Sequence, residues 1–324
     1  LEIEVEKVKS RFTSDSIVRG AGASGAGSLN MNESAESVEF GSLRDFLSVV
    51  LERLSEDDIS GALKLLDVAI SSSAFSSADE RERADALYLK GITLGECSDT
   101  SGEIAVYEEV DRQFSGSSND EVIEIVAKSL LNRGVRLGAV GRFDEQLSAY
   151  DYIISKFGGS QSVFIRRQVL WALLNKGFSL ANQKRSQEEI AAYDEVFRRE
   201  GGSQESILIV EVAKAMINKA VTIGQLGLLD YEISIYEVVE RLYGGFEESE
   251  VRGQVAKAKL YRGISLSSLE RYEQAVIVFE SIRAEYEADS SPEIEVMVAR
   301  SENSRGVALG KLGREEESLG ACVA

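Results

Sequence analysis

Asn132, Asn175 and Asn218 stand 43 residues apart and lie on one helical face. An amide carries an acceptor and two N–H donors, so a row of three could bond a main chain passing across it without strict demand on the passing sequence. Asparagine has a mediocre helix propensity and no apolar use, so its return in one column needs a reason. Ancestral repetition on an exposed face would also leave it there. The column continues as Tyr261 and Ser304. A second column on the same face holds Asp85, Lys128, Trp171, Lys214, Lys257 and Arg300. Its cations suit an acidic side chain or a terminal carboxylate through charge-assisted hydrogen bonds. They equally suit ordinary surface residues satisfied by nearby glutamates. Trp171 is a rigid side chain of the kind that anchors partners, or it packs on the stem of Lys214. At the edge of this face Val135, Phe178, Val221 and Ile264 could supply apolar pockets between the asparagines.

Other chemistry is poorly served. The chain has no histidine, the commonest general base and transition-metal ligand, and no glycine loop that would cradle a phosphate. Cys97 and Cys322 have neither metal spacing nor a disulfide framework. Cys97 also falls near the end of a helix, where the dipole disfavours a thiolate nucleophile. No catalysis, metal or cofactor is therefore expected. With a net charge of -19 a nucleic-acid role is disfavoured, because phosphates are held by lysine and arginine clusters. That field would help a partner with basic segments, or serve solubility alone. No apolar run is long enough to span a bilayer and no signal peptide is visible, so the expected setting is reducing and cytoplasmic, away from membranes. The chain starts at Leu1 rather than methionine, which leaves room for a longer parent protein.

These residues need a repeating frame. Gly91, Gly134, Gly177, Ala220, Gly263 and Gly306 share one column at 43-residue spacing, and Leu94, Leu137, Leu180, Ile223, Leu266 and Leu309 share another. Such an array reads as one solenoid in which each unit touches mainly its neighbours. The single proline and helical apolar spacing favour helices over strands. Residues 1–41 read as a flexible segment, with strand-like alternation over 1–9 and a glycine-rich linker over 20–28. Residues 42–324 read as the array: an irregular hairpin over 42–74, then 43-residue repeats, the last incomplete. In each repeat a first helix, such as 120–140, buries the arc through Val126, Leu130, Gly134 and Leu137. A second, such as 143–157, buries Leu147, Tyr150, Ile153 and Phe157. Its aromatic column runs Tyr107, Tyr150, Tyr193, Tyr236 and Phe279. Junctions such as GGSQ supply glycine to stop one helix and Ser or Asp to cap the next, and Pro292 suits a first helical position. A further basic column, Lys90, Arg133, Lys176, Lys219, Arg262 and Arg305, lies at the opposite edge of the buried arc, where charges can meet acidic second helices.

The small residue at Gly134, Gly141 seven later, Phe143, Tyr150 and the Ile153–Ile154 pair resemble the tetratricopeptide repeat. Gly263, Tyr272, Ala275, Phe279 and Ile282 repeat that pattern with its small second-helix residue kept. Glu103, Gln146, Glu189 and Glu232 depart from it at that position. A 43-residue period exceeds the usual 34 and is similar to the extended repeats of the kinesin light chain. The resemblance covers about residues 42–324. It implies an all-α, right-handed superhelical solenoid of antiparallel helix pairs, with first helices lining an inner groove where asparagines hold extended peptides. The reading is a non-catalytic protein-protein interaction module, with Asn132, Asn175, Asn218, Lys128, Trp171, Lys214, Lys257, Arg300 and Phe178 as partner-binding residues. The alternative is a structural or self-associating element acting through its ends or outer face. Its clue is the short last helix, expected to leave an apolar face around Leu309 and Leu312 partly uncovered unless more chain or another subunit covers it. A small-molecule sensor within a larger regulator is a third reading.

Overall fold

The structure, a computed structural model, describes residues 41–289 and 291–323, with side chains to residue 320. The expected strand-like stretch 1–9 and linker 20–28 lie outside the described residues. Among those described, every regular element is an α-helix. In order they are α1 (Leu43–Ser55), α2 (Ile59–Ser71), the short α3 (Ser73–Ser77), α4 (Glu80–Glu96), α5 (Thr100–Phe114), α6 (Asp120–Ala139) and α7 (Phe143–Phe157). These are followed by α8 (Val163–Asn182), α9 (Ser186–Glu200), α10 (Ser206–Gln225), α11 (Leu229–Tyr243), α12 (Ser249–Ser268), α13 (Tyr272–Tyr286), α14 (Pro292–Lys311) and α15 (Glu315–Val323). A first helix of 20 residues and a second of 15, with their two turns, account for the 43-residue period.

The chain divides into two compact units between Phe157 and Gly158. In the first, α4 packs on α5, α5 on α6 and α6 on α7, while α2, α4 and α6 also meet in succession. In the second, each helix from α8 to α15 packs on the next, and the first helices α8, α10, α12 and α14 also touch one another in order. The first helices of each unit therefore form a continuous layer whose outer face is free for other uses.

The buried arc follows the expected spacing. Val126, Leu130 and Leu137 on α6 and Leu147, Tyr150, Ile153 and Phe157 on α7 are all buried. Two helical glycines are explained by what lies on them. A Cβ at Gly134 would come within 2.5 Å of the Tyr150 ring, and one at Gly138 would run into the Gln146 amide. The propensity cost of about 1 kcal/mol for each glycine is offset by a buried ring and a buried amide seated against bare backbone.

Turns repeat as faithfully as helices. The residue two places beyond each first helix has positive φ: Gly141, Gly227 and Gly313 in three repeats, and Ser98, Lys184 and Glu270 in the other three. Caps are less regular than expected. Asp79 and Asn119 accept from the first turns of α4 and α6, whereas the residues preceding α8, α10, α12 and α14 make no side-chain cap. Pro292 does open α14. Of the apolar face expected to be partly uncovered at the last repeat, Leu309 is fully buried against Val276 and Leu312 is half-buried beside it.

Candidate binding surface on the first-helix layer

The side chains beneath the layer set what its outer face can offer. Glu103 is 2% exposed and accepts from the Tyr107 hydroxyl at 3.1 Å and from Arg136 Nε at 3.0 Å. Burial pushes the Tyr107 phenol well above its usual range, so it stays a donor. In the next repeat Gln146 Nε2 donates to the Tyr150 hydroxyl at 3.2 Å, and in a later one the Tyr236 hydroxyl donates to Glu232 at 2.9 Å. Glu189 accepts from the Thr222 hydroxyl. Where the aromatic is Phe279, the residue four places before it is Ala275. In three repeats the departure from a small residue in this column is thus a polar partner for a buried tyrosine hydroxyl, and it is absent where the ring is Phe279; Glu189 instead takes its partner from the next first helix.

The asparagine column meets one of the same tyrosines. Asn132 Nδ2 donates to the Tyr107 hydroxyl at 3.4 Å. Asn132, Asn175 and Asn218 are all half-buried. Part of the donor capacity is therefore spent inside the fold. The Asn132 amide keeps its second N–H and its carbonyl oxygen for other partners.

The basic column separates into two kinds. Lys128 pairs with Glu124 at 2.6 Å on its own helix. Lys214 pairs with Glu211 at 3.2 Å, and Glu211, only 1% exposed, also accepts from Arg167. The Arg167 guanidinium lies 4.6 Å from the centre of the Trp171 ring and so helps hold the indole. Lys257 and Arg300, by contrast, have no carboxylate within ion-pair distance among the described residues. Both lie over the Tyr261 ring, 5.6 and 6.0 Å from its centre. Tyr261 is held in turn by an edge contact with Tyr236. At the rim, Val135, Phe178 and Ile264 are exposed, Phe178 to 64%, and Val221 is half-buried. The other basic column is structural: Lys90, Arg133, Lys219, Arg262 and Arg305 pair with Asp67, Glu108, Asp194, Glu237 and Glu280 on preceding second helices.

No family model matches this sequence, and no curated protein is significantly similar to it. Solved structures do match. A Signal Transduction ATPase with Numerous Domains with a tetratricopeptide repeat sensor, from Pyrococcus horikoshii, superposes over 86% of this chain with a TM-score of 0.59 and 12% identity. The apo form of RapI matches 86% of this chain and 94% of its own, with a TM-score of 0.52 and 11% identity. The fold is that of a tetratricopeptide-type solenoid. The chain spans 41% of the length of the ATPase, whose remaining parts have no counterpart in the match.

Within this tetratricopeptide-type frame, one unit brings Trp171, Phe178, Lys214, Asn218, Lys257 and Arg300 onto successive helices of a single layer. Asn132 and Lys128 stand on the layer of the other unit. Sequence reasoning did not single out Glu211, Arg167 or Phe164. The signals were present: Glu211 is three residues before Lys214, Arg167 four before Trp171, and Phe164 seven before it.

Proposed function

We propose that this chain is a non-catalytic protein-interaction module that takes an extended peptide or partner segment along the exposed face of its first-helix layer. The observation that carries the reading is the pair Lys257 and Arg300, two cations without a carboxylate, converging on one tyrosine ring. Two such cations facing one ring suit an acidic side chain or a terminal carboxylate. Within the second unit Asn175 and Asn218 would bond the passing main chain, with Trp171 and Phe178 taking apolar side chains; Asn132 would do the same on the first unit's own layer. The likeness to a structure whose repeats are described as a sensor supports such a role. The long first helices favour the extended, kinesin-light-chain type of repeat. No helix among the described residues is long and apolar enough to cross a membrane, which fits the cytoplasmic setting read from the sequence.

The test is selection from a random peptide library with free C-termini, followed by affinity measurements at two salt concentrations. Lys257→Ala with Arg300→Ala should weaken enriched peptides at least tenfold and flatten their salt dependence. The combined Asn132→Ala, Asn175→Ala and Asn218→Ala variant should weaken them further at unchanged helicity. Selection of no peptide, or binding indifferent to both variants, would refute the reading.

A second reading, assembly through the chain's last repeat, draws on Val296, Val307 and Leu319, all more than half exposed. It predicts a concentration-dependent mass in sedimentation that Leu319→Ser abolishes.

A further inference from the structure

Helix α8 differs from every other first helix in what it presents. Phe164, Trp171 and Phe178 lie seven residues apart, and at 100° per residue they fall within one narrow stripe. Phe164 is 57% exposed, Phe178 is 64% exposed and Trp171 is half-buried. The repeat register provides an internal control. The same three positions are Glu121, Lys128 and Val135 in one repeat, and Glu250, Lys257 and Ile264 in another. Scattered exposed apolar residues are ordinary, but three aligned aromatics mark a contact surface where sister helices have a charged residue at the middle position and only Val or Ile at the third, Ile207 being apolar at the first as well.

Spacing and charge say what fits. At 1.5 Å per residue the three rings stand about 10 Å apart along the axis. A second helix laid alongside presents its own residues seven apart at the same interval. An extended strand advances about 3.3 Å per residue and alternates faces, so it cannot offer consecutive same-face residues at that spacing. Beside the stripe, Arg167 and Lys214 share one buried carboxylate, Glu211, so this cluster keeps a net positive charge. The guanidinium also lies over Trp171, which places that charge directly at the stripe.

We propose that α8 is the docking strip for an amphipathic helix that carries apolar side chains at seven-residue intervals and acidic residues on the flank facing Arg167 and Lys214. The inference rests on the reading of the first-helix layer as the working surface, and gives Trp171 and Phe178, together with Phe164, a helical occupant in place of an extended one. The partner's apolar residues interleave with the three rings, and its carboxylates meet the surplus cation.

The test uses the full chain and three synthetic peptides of 18 residues. One is helical, with leucine every seventh residue and glutamate on one flank; the second has the same composition scrambled; the third is proline-rich with leucine every third residue. The helical peptide should bind at least tenfold tighter than either control. Phe164→Ser with Phe178→Ser should remove that preference at unchanged helicity by circular dichroism, since both side chains are exposed. Lys257→Ala with Arg300→Ala should leave it within twofold. Equal binding of the three peptides, or indifference to the Phe164 and Phe178 changes, overturns the proposal. So does a dimer in sedimentation that those changes dissolve, because a second copy would then be the occupant. If library peptides respond to Lys257 and Arg300 while the helical peptide fails, only the strip is refuted. The reverse pattern retains the strip and refutes the extended-peptide reading.

Discussion

Tyr107, Tyr150 and Tyr236 each bury a phenol against a polar side chain four residues earlier, and Phe279 follows Ala275 at the same spacing. A hydroxyl and its partner are costly to bury singly and acceptable together. Glu232→Ala or Tyr236→Phe alone should therefore cost about 1–3 kcal/mol by leaving one buried group unpaired. The double change reproduces the Ala275–Phe279 pair, so denaturant unfolding should show it less costly than the sum of the singles. Glu189 gives a pH test. Burial raises its carboxyl above the ordinary value, and the Thr222 hydrogen bond offsets this only in part. The folded state thus holds the proton more tightly than the unfolded state. Its contribution to stability is full below the ordinary carboxylate range and is lost as pH rises through the raised value. Glu189→Gln, which copies Gln146, should raise the thermal midpoint at pH 7.5 and lose that advantage near pH 4.5. A midpoint difference that stays constant with pH would contradict this. The polar identity of this column was legible in the sequence, but its purpose was not. The tyrosine hydroxyl and the acid meet only once the helix is formed and covered by the next repeat.

Among the elements, the turn after each first helix carries the clearest local strain. Lys184 and Glu270 occupy the left-handed conformation that Gly141, Gly227 and Gly313 take in sister repeats. A side chain there costs about 1–2 kcal/mol, part of which glycine returns as unfolded-chain entropy. Lys184→Gly and Glu270→Gly should each raise stability by about 1 kcal/mol, read as an increased denaturant midpoint at unchanged slope. Helix identity and length were legible at this level, since the apolar period and the glycine spacing alone delimit α6 and α7 to within a residue. Caps were less so: Ser or Asp from the junctions was expected to cap the following helix, yet the residues before α8 and α14, Ser162 and Ser291, make no side-chain bond there. Cap residues report only on local competition for backbone N–H groups, and here packing on neighbouring helices holds the helix starts without them.

Within each of the two units taken by itself, helices pack on their neighbours in sequence, and each first helix also meets the first helix of the adjacent repeat. Stability in such a stack is a sum of repeat and nearest-neighbour terms. Tyr236→Ala, which removes a fully buried ring, should cost about 3–5 kcal/mol. Hydrogen exchange should speed most in α10 to α13, with α4 to α6 retaining their protection. Uniform loss along the chain would show longer-range cooperativity than nearest-neighbour packing allows.

The 43-residue period, the helical arc and the small-residue column were enough, taken alone, to establish an all-α repeat solenoid. They record short-range constraints that every copy must satisfy in the same way. Which surface residues remain free was settled only in three dimensions. Lys128, Lys214, Lys257 and Arg300 are equivalent in the repeat register, yet two find carboxylates and two do not. Phe164 and Trp171 join one stripe beside a buried Glu211 that sequence spacing did not assign to them. The reason is that an ion pair or an exposed stripe depends on side chains from adjacent repeats. Those neighbours differ from copy to copy even where the backbone does not.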